Sequence, residues 1–207
     1  MRIAVANLKG GAAKTTSAVL LAEAAAAAGS ATLLVDADPQ GSAMAWAGDA
    51  DEDGGPGLRC ITVALPTADV GRRLAGIADS HDLVVIDTPP GLAAIVQAAI
   101  AAADVVLIPC QPTLMDLCRM HATIGMASDA GKPAALLLCR ARSGTRSLAA
   151  AQSALHDADL PLLEAVIPQR EAIAAAFGTR PGRPALEPYR TALDELTAAL
   201  TPKRRRK

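Results

Sequence analysis

The residues best placed to do chemistry lie in one short run near the start of the chain, Lys9-Gly10-Gly11-Ala12-Ala13-Lys14-Thr15-Thr16. Two glycines let a backbone turn tightly, and a lysine followed by two threonines offers one cation and two hydroxyls. Placed between a strand and a helix, such a run wraps backbone N–H groups around a phosphate. The helix N-terminus then adds the positive end of its dipole. Lys14 would reach the β- and γ-phosphates of a nucleotide, and Thr15 would place its hydroxyl on Mg²⁺. The usual glycine-rich pattern is not met, because Leu8 and Ala13 stand where it has glycine. If Ala13 must adopt positive φ, its Cβ costs about 1 kcal/mol.

Two further acidic stations can serve the same ligand. Leu33-Leu34-Val35-Asp36-Ala37-Asp38-Pro39-Gln40 reads as a strand tip bearing two carboxylates. Leu83-Val84-Val85-Ile86-Asp87-Thr88-Pro89-Pro90-Gly91 is an apolar strand ending in one. Carboxylates at the carboxyl ends of strands in an open α/β sheet sit where such sheets bind ligands. Chemistry of this kind depends on positioning and charge stabilisation and needs no nucleophilic Ser or Cys. His81, His121 and His156 have no partner motif and read as surface or satisfied core residues.

The elements that must hold these stations are readable as an alternation. Ile3 to Leu8, Thr32 to Asp36, Cys60 to Leu65, Leu83 to Asp87, Val105 to Pro109, Ala135 to Cys139 and Glu164 to Ile167 read as strands. Several are apolar on both faces, as a buried parallel sheet requires. Ala-rich stretches of helical composition lie between them. The clearest is Lys14 to Ala28, closed by Gly29, and the last is expected over Pro188 to Leu200. The pattern predicts an α/β, doubly wound, mostly parallel sheet with helices on both faces, in one domain over residues 1–202. Asp49 to Gly57 is acidic and glycine-rich and reads as an exposed loop. Lys203, Arg204, Arg205, Arg206 and Lys207 read as a basic disordered tail.

Composition narrows the partners. Phe, Tyr and Trp contribute one residue each, so little aromatic surface is available for stacking bases of a nucleic acid. The formal net charge of −1 conceals an imbalance. Up to Cys118 there are 6 Lys/Arg against 13 Asp/Glu, and from Arg119 onward 14 against 8. A basic second half suits phosphate contacts, with Arg142, Arg146, Arg170, Arg180, Arg183 and the tail as candidates. Cys60, Cys110, Cys118 and Cys139 are widely spaced and form no CxxC pair, which argues against a zinc site. No signal peptide or membrane span is evident, so a reducing cytoplasm is expected.

The loop, KGGxxKTT with an extra lysine before the glycines, resembles the deviant Walker A motif of the ParA and MinD family. VDADPQ resembles that family's first switch, and the Leu83–Asp87 strand with Thr88-Pro89-Pro90-Gly91 resembles its Walker B strand and second switch. Ile108-Pro109-Cys110-Gln111-Pro112 resembles the IPxxP segment of the ParA group, after which Thr113 to Asp116 would lie near a dimer interface. The resemblance implies a P-loop ATPase that uses ATP and Mg²⁺, with Lys9, Lys14 and Asp38 as catalytic residues. Lys9 would reach across a homodimer to the partner's nucleotide. Asp38 would orient the attacking water, while Thr15, Asp36 and Asp87 would serve the metal. Gly10, Gly11, Ala12, Ala13 and Thr16 would complete the phosphate cradle, and Arg140, Pro168 and Gln169 fall where the family contacts adenine. A guanine-reading NKxD motif is absent.

Short members without an N-terminal helix-turn-helix are the nearest match in layout. They imply nucleoid association, non-specific DNA binding by the ATP dimer and a ParB-like partner that stimulates hydrolysis. Two alternatives share the fold: a MinD-like membrane-attached switch, disfavoured by the lack of a basic interfacial helix, and a metabolic enzyme such as a biotin-pathway ligase or a nitrogenase-type iron protein.

Overall fold

The computed structural model describes residues 1–200; the Lys203–Lys207 cluster and the end of the expected domain lie outside the described residues. Seven parallel strands form one sheet: β1 (Arg2–Val5), β2 (Thr32–Asp36), β3 (Ile61–Ala64), β4 (Leu83–Asp87), β5 (Val105–Cys110), β6 (Ala134–Ala141) and β7 (Leu162–Pro168). Their order is β3-β2-β4-β1-β5-β6-β7. The chain thus winds outward from β1 in both directions. Ligands bind such sheets in the crevice outside the carboxyl ends of the strands, where the winding changes direction beside β1.

Helices cover both faces. One face carries α1 (Lys14–Ala27), α2 (Ser42–Asp51), the short α7 (Glu171–Ala174) and α8 (Arg183–Leu200). Their apolar side chains meet Ile3, Val5, Leu34, Val85 and Leu107. The other face carries α3 (Val70–Leu74), α4 (Ala93–Ala102), α5 (Leu114–Asp129) and α6 (Arg146–Asp157). There the alternate strand residues point, Leu33, Val35, Val84 and Ile86 in one cluster and Val106, Ile108, Leu136 and Leu138 in another. Side chains alternate across a strand, so both faces must be apolar for the sheet to be covered twice. All of β2, β4 and β5 is buried accordingly.

Three expectations need correction. The first strand stops at Val5, not Leu8. Ala6 N–H still donates to Leu107 O, but the Asn7 side chain then takes Pro109 O and Lys9 N–H, and Leu8 N–H goes to Thr123 Oγ1. The chain leaves the ladder to begin the loop. Asp49 to Gly57 is not all loop: α2 runs through Asp51 and a 3-10 turn follows over Glu52–Gly54. The last helix starts at Arg183 and carries Pro188 inside it. Pro188 removes one helix hydrogen bond. The helix continues because Ala185, Leu186, Tyr189, Ala192, Leu193 and Leu196 bury one stripe, packed on α1 and β7.

Candidate nucleotide site

The loop between β1 and α1 turns through two left-handed residues, Gly11 at φ 72° and Ala13 at φ 66°. The strain anticipated for Ala13 is therefore present. Gly10 has ordinary φ and a Cβ there would meet nothing within 4 Å. Neither backbone conformation nor internal packing accounts for that glycine; a ligand approaching the loop closely would. The loop is tied from behind as well, since Gln111 Nε2 donates to Gly11 O at 3.2 Å. Asn7, Gln111 and Thr123 are positioning residues that the sequence did not signal. Each acts through a contact distant in the chain.

Lys14 opens α1 and is nearly buried, with Nζ donating to Lys9 O at 3.0 Å. Burial lowers its pKa, and the nearby charges of Asp87 and Asp38 oppose that fall. The ammonium thus stands between the loop and two of the three carboxylates.

Those carboxylates are arranged by the strands. Asp36 and Asp87 face each other in register on β2 and β4, and Asp87 also pairs with Val5 of β1. Asp36 is fully buried. Its Oδ1 accepts from Asp38 N at 3.1 Å, and its Oδ2 from Ala43 N at 3.0 Å and Met44 N at 2.9 Å. It caps the first turn of α2 while shaping the Asp38 turn. Burial raises its pKa and these three N–H donors work against the rise. Both of its oxygens are thus engaged in shaping backbone. Asp38 is half-buried and accepts from Gln40 N at 2.9 Å.

Asp87 is fully buried, and neither of its oxygens has a hydrogen-bond partner. Burial pushes its carboxyl up to about 7, while the neighbouring Thr15 hydroxyl and the Lys14 charge pull it back. A buried carboxylate with no donor is costly unless a cation or donor satisfies it. A hard divalent cation takes such oxygens, so Asp87 with the Thr15 hydroxyl fits Mg²⁺.

Two adjoining cavities complete the site. One, of about 230 Å³, is lined by Gly11 through Thr16 with Asp38, Pro90 and Arg140. The other, of about 400 Å³, runs on from it, sharing Ala13, Thr16 and Arg140 and adding Pro168 and Gln169. The structure thus brings the three adenine-site expectations to one cavity. Arg140 adopts φ 53° where β6 bulges against β7, which sets it at the junction of the two cavities. Strained non-glycine backbone of this kind gathers at functional sites.

Lys9 is held within its own chain by an ion pair with Asp116 of α5, a buried carboxylate that also accepts from Thr113 Oγ1 at 2.7 Å. Among the arginines expected to meet DNA, Arg142, Arg146 and Arg170 are exposed near the carboxyl ends of β6 and β7. Arg183 is exposed at the start of α8, against the α1 side. Arg180 is a correction: its guanidinium donates to Gly57 O at 2.6 Å and to Pro56 O, so it fastens a loop. Arg142 is partly spent on Gln169 Oε1 at 2.8 Å. Cys60, Cys110 and Cys139 are buried, and burial pushes each thiol up to about 12. Buried thiols held in this way are unreactive as nucleophiles. The Cys118 thiol lies outside the described side chains. Among the described residues no helix is long and apolar enough to cross a membrane.

Residues 3–180 match the CobQ/CobB/MinD/ParA nucleotide-binding domain. The chain belongs to this family. Its members of the ParA and MinD kind are ATPases, and that is the enzymatic class of this chain. It is similar to the maintenance of carboxysome distribution protein A of Gloeobacter kilaueensis, 39% identical over 172 residues, covering 80% of this chain and 75% of that protein. It is also similar to the chromosome-partitioning ATPase Soj of Thermus thermophilus, 36% identical over 135 residues, with 53% of this chain and 54% of that protein aligned. Among solved structures, the cell division ATPase MinD of Pyrococcus furiosus superposes with a TM-score of 0.80 over 96% of this chain and 98% of that chain, at 19% identity. At that identity the likeness concerns the fold.

Proposed function

We propose that the chain is a partition or positioning ATPase in which Mg-ATP drives a dimer onto DNA and hydrolysis releases it. The observation that carries the reading is Asp87, a buried carboxylate without a partner, standing beside Lys14 and beneath the loop of Gly10 to Thr16. That arrangement suits a triphosphate and its metal better than an apolar or uncharged ligand. Thr15 and Asp87 hold Mg²⁺, with Asp36 fixing the backbone behind them. The ion, when bound, offsets the negative charge of the phosphates. Asp38, on the wall of the phosphate cavity, orients the attacking water. Arg140, Pro168 and Gln169 border the adenine. Lys9 leaves Asp116 to reach the partner's nucleotide.

Kinship with the carboxysome-distribution protein and Soj supports a positioning role over a metabolic one. ATP can act as the switch only because it binds the dimer better than the monomer. Arg142, Arg146, Arg170 and Arg183, with the Lys203–Lys207 tail, supply phosphate contacts to DNA that weaken steeply with salt. A ParB-like protein stimulates hydrolysis, and the cell compartment is the nucleoid. The test is DNA retention with ATP, ADP and no nucleotide, for wild type, Lys14→Ala and Asp38→Ala, with anionic vesicles as a parallel arm. Retention with ATP by wild type and Asp38→Ala, but not Lys14→Ala, supports the reading. Equal retention in every nucleotide condition, or ATP-dependent retention on vesicles alone, overturns it.

A further inference from the structure

The chain has one Trp, one Tyr and one Phe, and all three line the cavity that adjoins the phosphate loop. A core built from Ala, Leu, Val and Ile does not need them together. Trp46 on α2 is buried, and its Nε1 donates to Thr179 O at 3.0 Å. Phe177 follows α7 and is 53% exposed. Its centroid lies 5.4 Å from that of Trp46, with the planes tilted by 51°. Tyr189 of α8 closes the inner wall. Its buried hydroxyl has no hydrogen-bond partner, although the Ser17 hydroxyl lies near enough to bear on its ionisation.

The loop that carries Phe177 is fastened to α2. Gly178 sits at φ 70°, and a Cβ there would come within 3.1 Å of Asp49 Cβ. Thr179 O receives the Trp46 indole. The other end of α2 is capped by Asp36, whose carboxylate also shapes the Asp38 turn. One rigid element thus joins the aromatic wall to the acidic station.

We infer that Phe177 is the stacking wall for the purine base, and that Trp46 conveys base occupancy through α2 to the Asp36–Asp38 turn. The inference rests on the nucleotide reading above, since it needs the triphosphate in the loop. A cavity of about 400 Å³ suits a base and sugar. Its continuity with the phosphate cavity through Ala13, Thr16 and Arg140 places that base within one nucleotide's reach. A half-exposed ring presents a face ready to stack. Base–aromatic stacking changes affinity by about ten-fold when the ring is removed.

The test uses calorimetry and Trp46 emission on the full chain, with Mg-ATP and with base-free Mg-tripolyphosphate. In wild type, ATP binds more tightly than tripolyphosphate, and only ATP shifts the emission. Phe177→Leu keeps apolar bulk but no ring face; it should weaken ATP by about ten-fold, leave tripolyphosphate affinity unchanged and abolish the emission shift. Phe177→Tyr should restore both. A merely structural role would weaken both ligands together. Wild-type ATP affinity in Phe177→Leu, an equal loss for both ligands, or equal emission shifts from both ligands overturns the aromatic wall while leaving the phosphate reading intact. Failure of both ligands to bind wild type overturns the phosphate reading and this inference with it.

Discussion

Asp36 and Asp87 stand in register on adjacent parallel strands, yet Asp36 accepts three backbone N–H groups and Asp87 accepts none. The contrast assigns them different work. Asp36 is a structural acceptor whose charge is spread over the first turn of α2 and the Asp38 turn. Asp87 keeps its acceptor capacity, and the nearby Thr15 hydroxyl and Lys14 charge only partly offset the cost of its burial. Folded proteins rarely leave such a group idle.

Asp87→Asn should therefore make the metal-free protein more stable while removing its function. Burial raises this carboxyl from 3.8 to about 7. The folded state then keeps a proton that the unfolded chain has lost across that interval. Its stabilising contribution is complete below about pH 4 and is lost as pH rises through 7. The loss is at most about 4 kcal/mol. Thermal melts without Mg²⁺ should show wild type falling from pH 4 to 8 more steeply than Asp87→Asn, with the curves meeting at the acid end. Mg²⁺-dependent ATP hydrolysis should vanish in the variant. Parallel pH curves would mean that the carboxyl titrates normally.

Asp36→Ala and Asp38→Ala should separate fold from chemistry. The first leaves three N–H groups without their acceptor and uncaps α2, at a cost of about 2–4 kcal/mol. The second removes one hydrogen bond, from Gln40 N, and a charge near Lys14. Asp38→Ala should melt like wild type, bind ATP and hydrolyse it at least about 100-fold more slowly. Asp36→Ala should melt several degrees lower. Equal melting temperatures would contradict the capping role.

The parts of this site that are local in the chain were legible. β2 and β4 lie where apolar runs end in aspartate, because strands buried on both faces have no polar position until their tips. The phosphate loop announces itself within eight residues. What stayed hidden depends on distant partners. The end of β1 is decided by Asn7 and Thr123. Arg180 looked like a free cation until Pro56 and Gly57 claimed it. Trp46 and Phe177 meet only after the sheet has formed. Pro188 reads as a helix start because tertiary burial of the stripe around it cannot be seen in the sequence.

Gly10→Ala should weaken nucleotide binding without touching the fold. Its φ is ordinary and a Cβ would meet no protein atom within 4 Å, so stability should change by less than about 1 kcal/mol. The same methyl would stand where backbone N–H groups must close on a phosphate. Calorimetry should show Mg-ATP affinity down by more than about ten-fold. At Ala13 the balance differs. Relief of about 1 kcal/mol of left-handed strain by Ala13→Gly is offset by about as much unfolded-chain entropy, so its melting temperature should barely move. Tight Mg-ATP binding by Gly10→Ala would show that the loop does not close as required.

Lys9 and Asp116 set the threshold for dimerisation if Lys9 must act in trans. A lysine paired in its own chain cannot also reach a partner's nucleotide. Once it leaves, Asp116 is a buried carboxylate that keeps the Thr113 hydroxyl as a donor. The nucleotide-bound dimer must overcome that cost, which shifts the population toward monomers. Asp116→Asn removes the charge and keeps the shape. In an Asp38→Ala background, where ATP is not consumed, sedimentation should show the ATP dimer tightened by about 5- to 30-fold, corresponding to about 1–2 kcal/mol. Lys9→Ala should lose the dimer altogether. A weaker dimer in Asp116→Asn would give Asp116 the opposite task, that of aiming Lys9 across the interface.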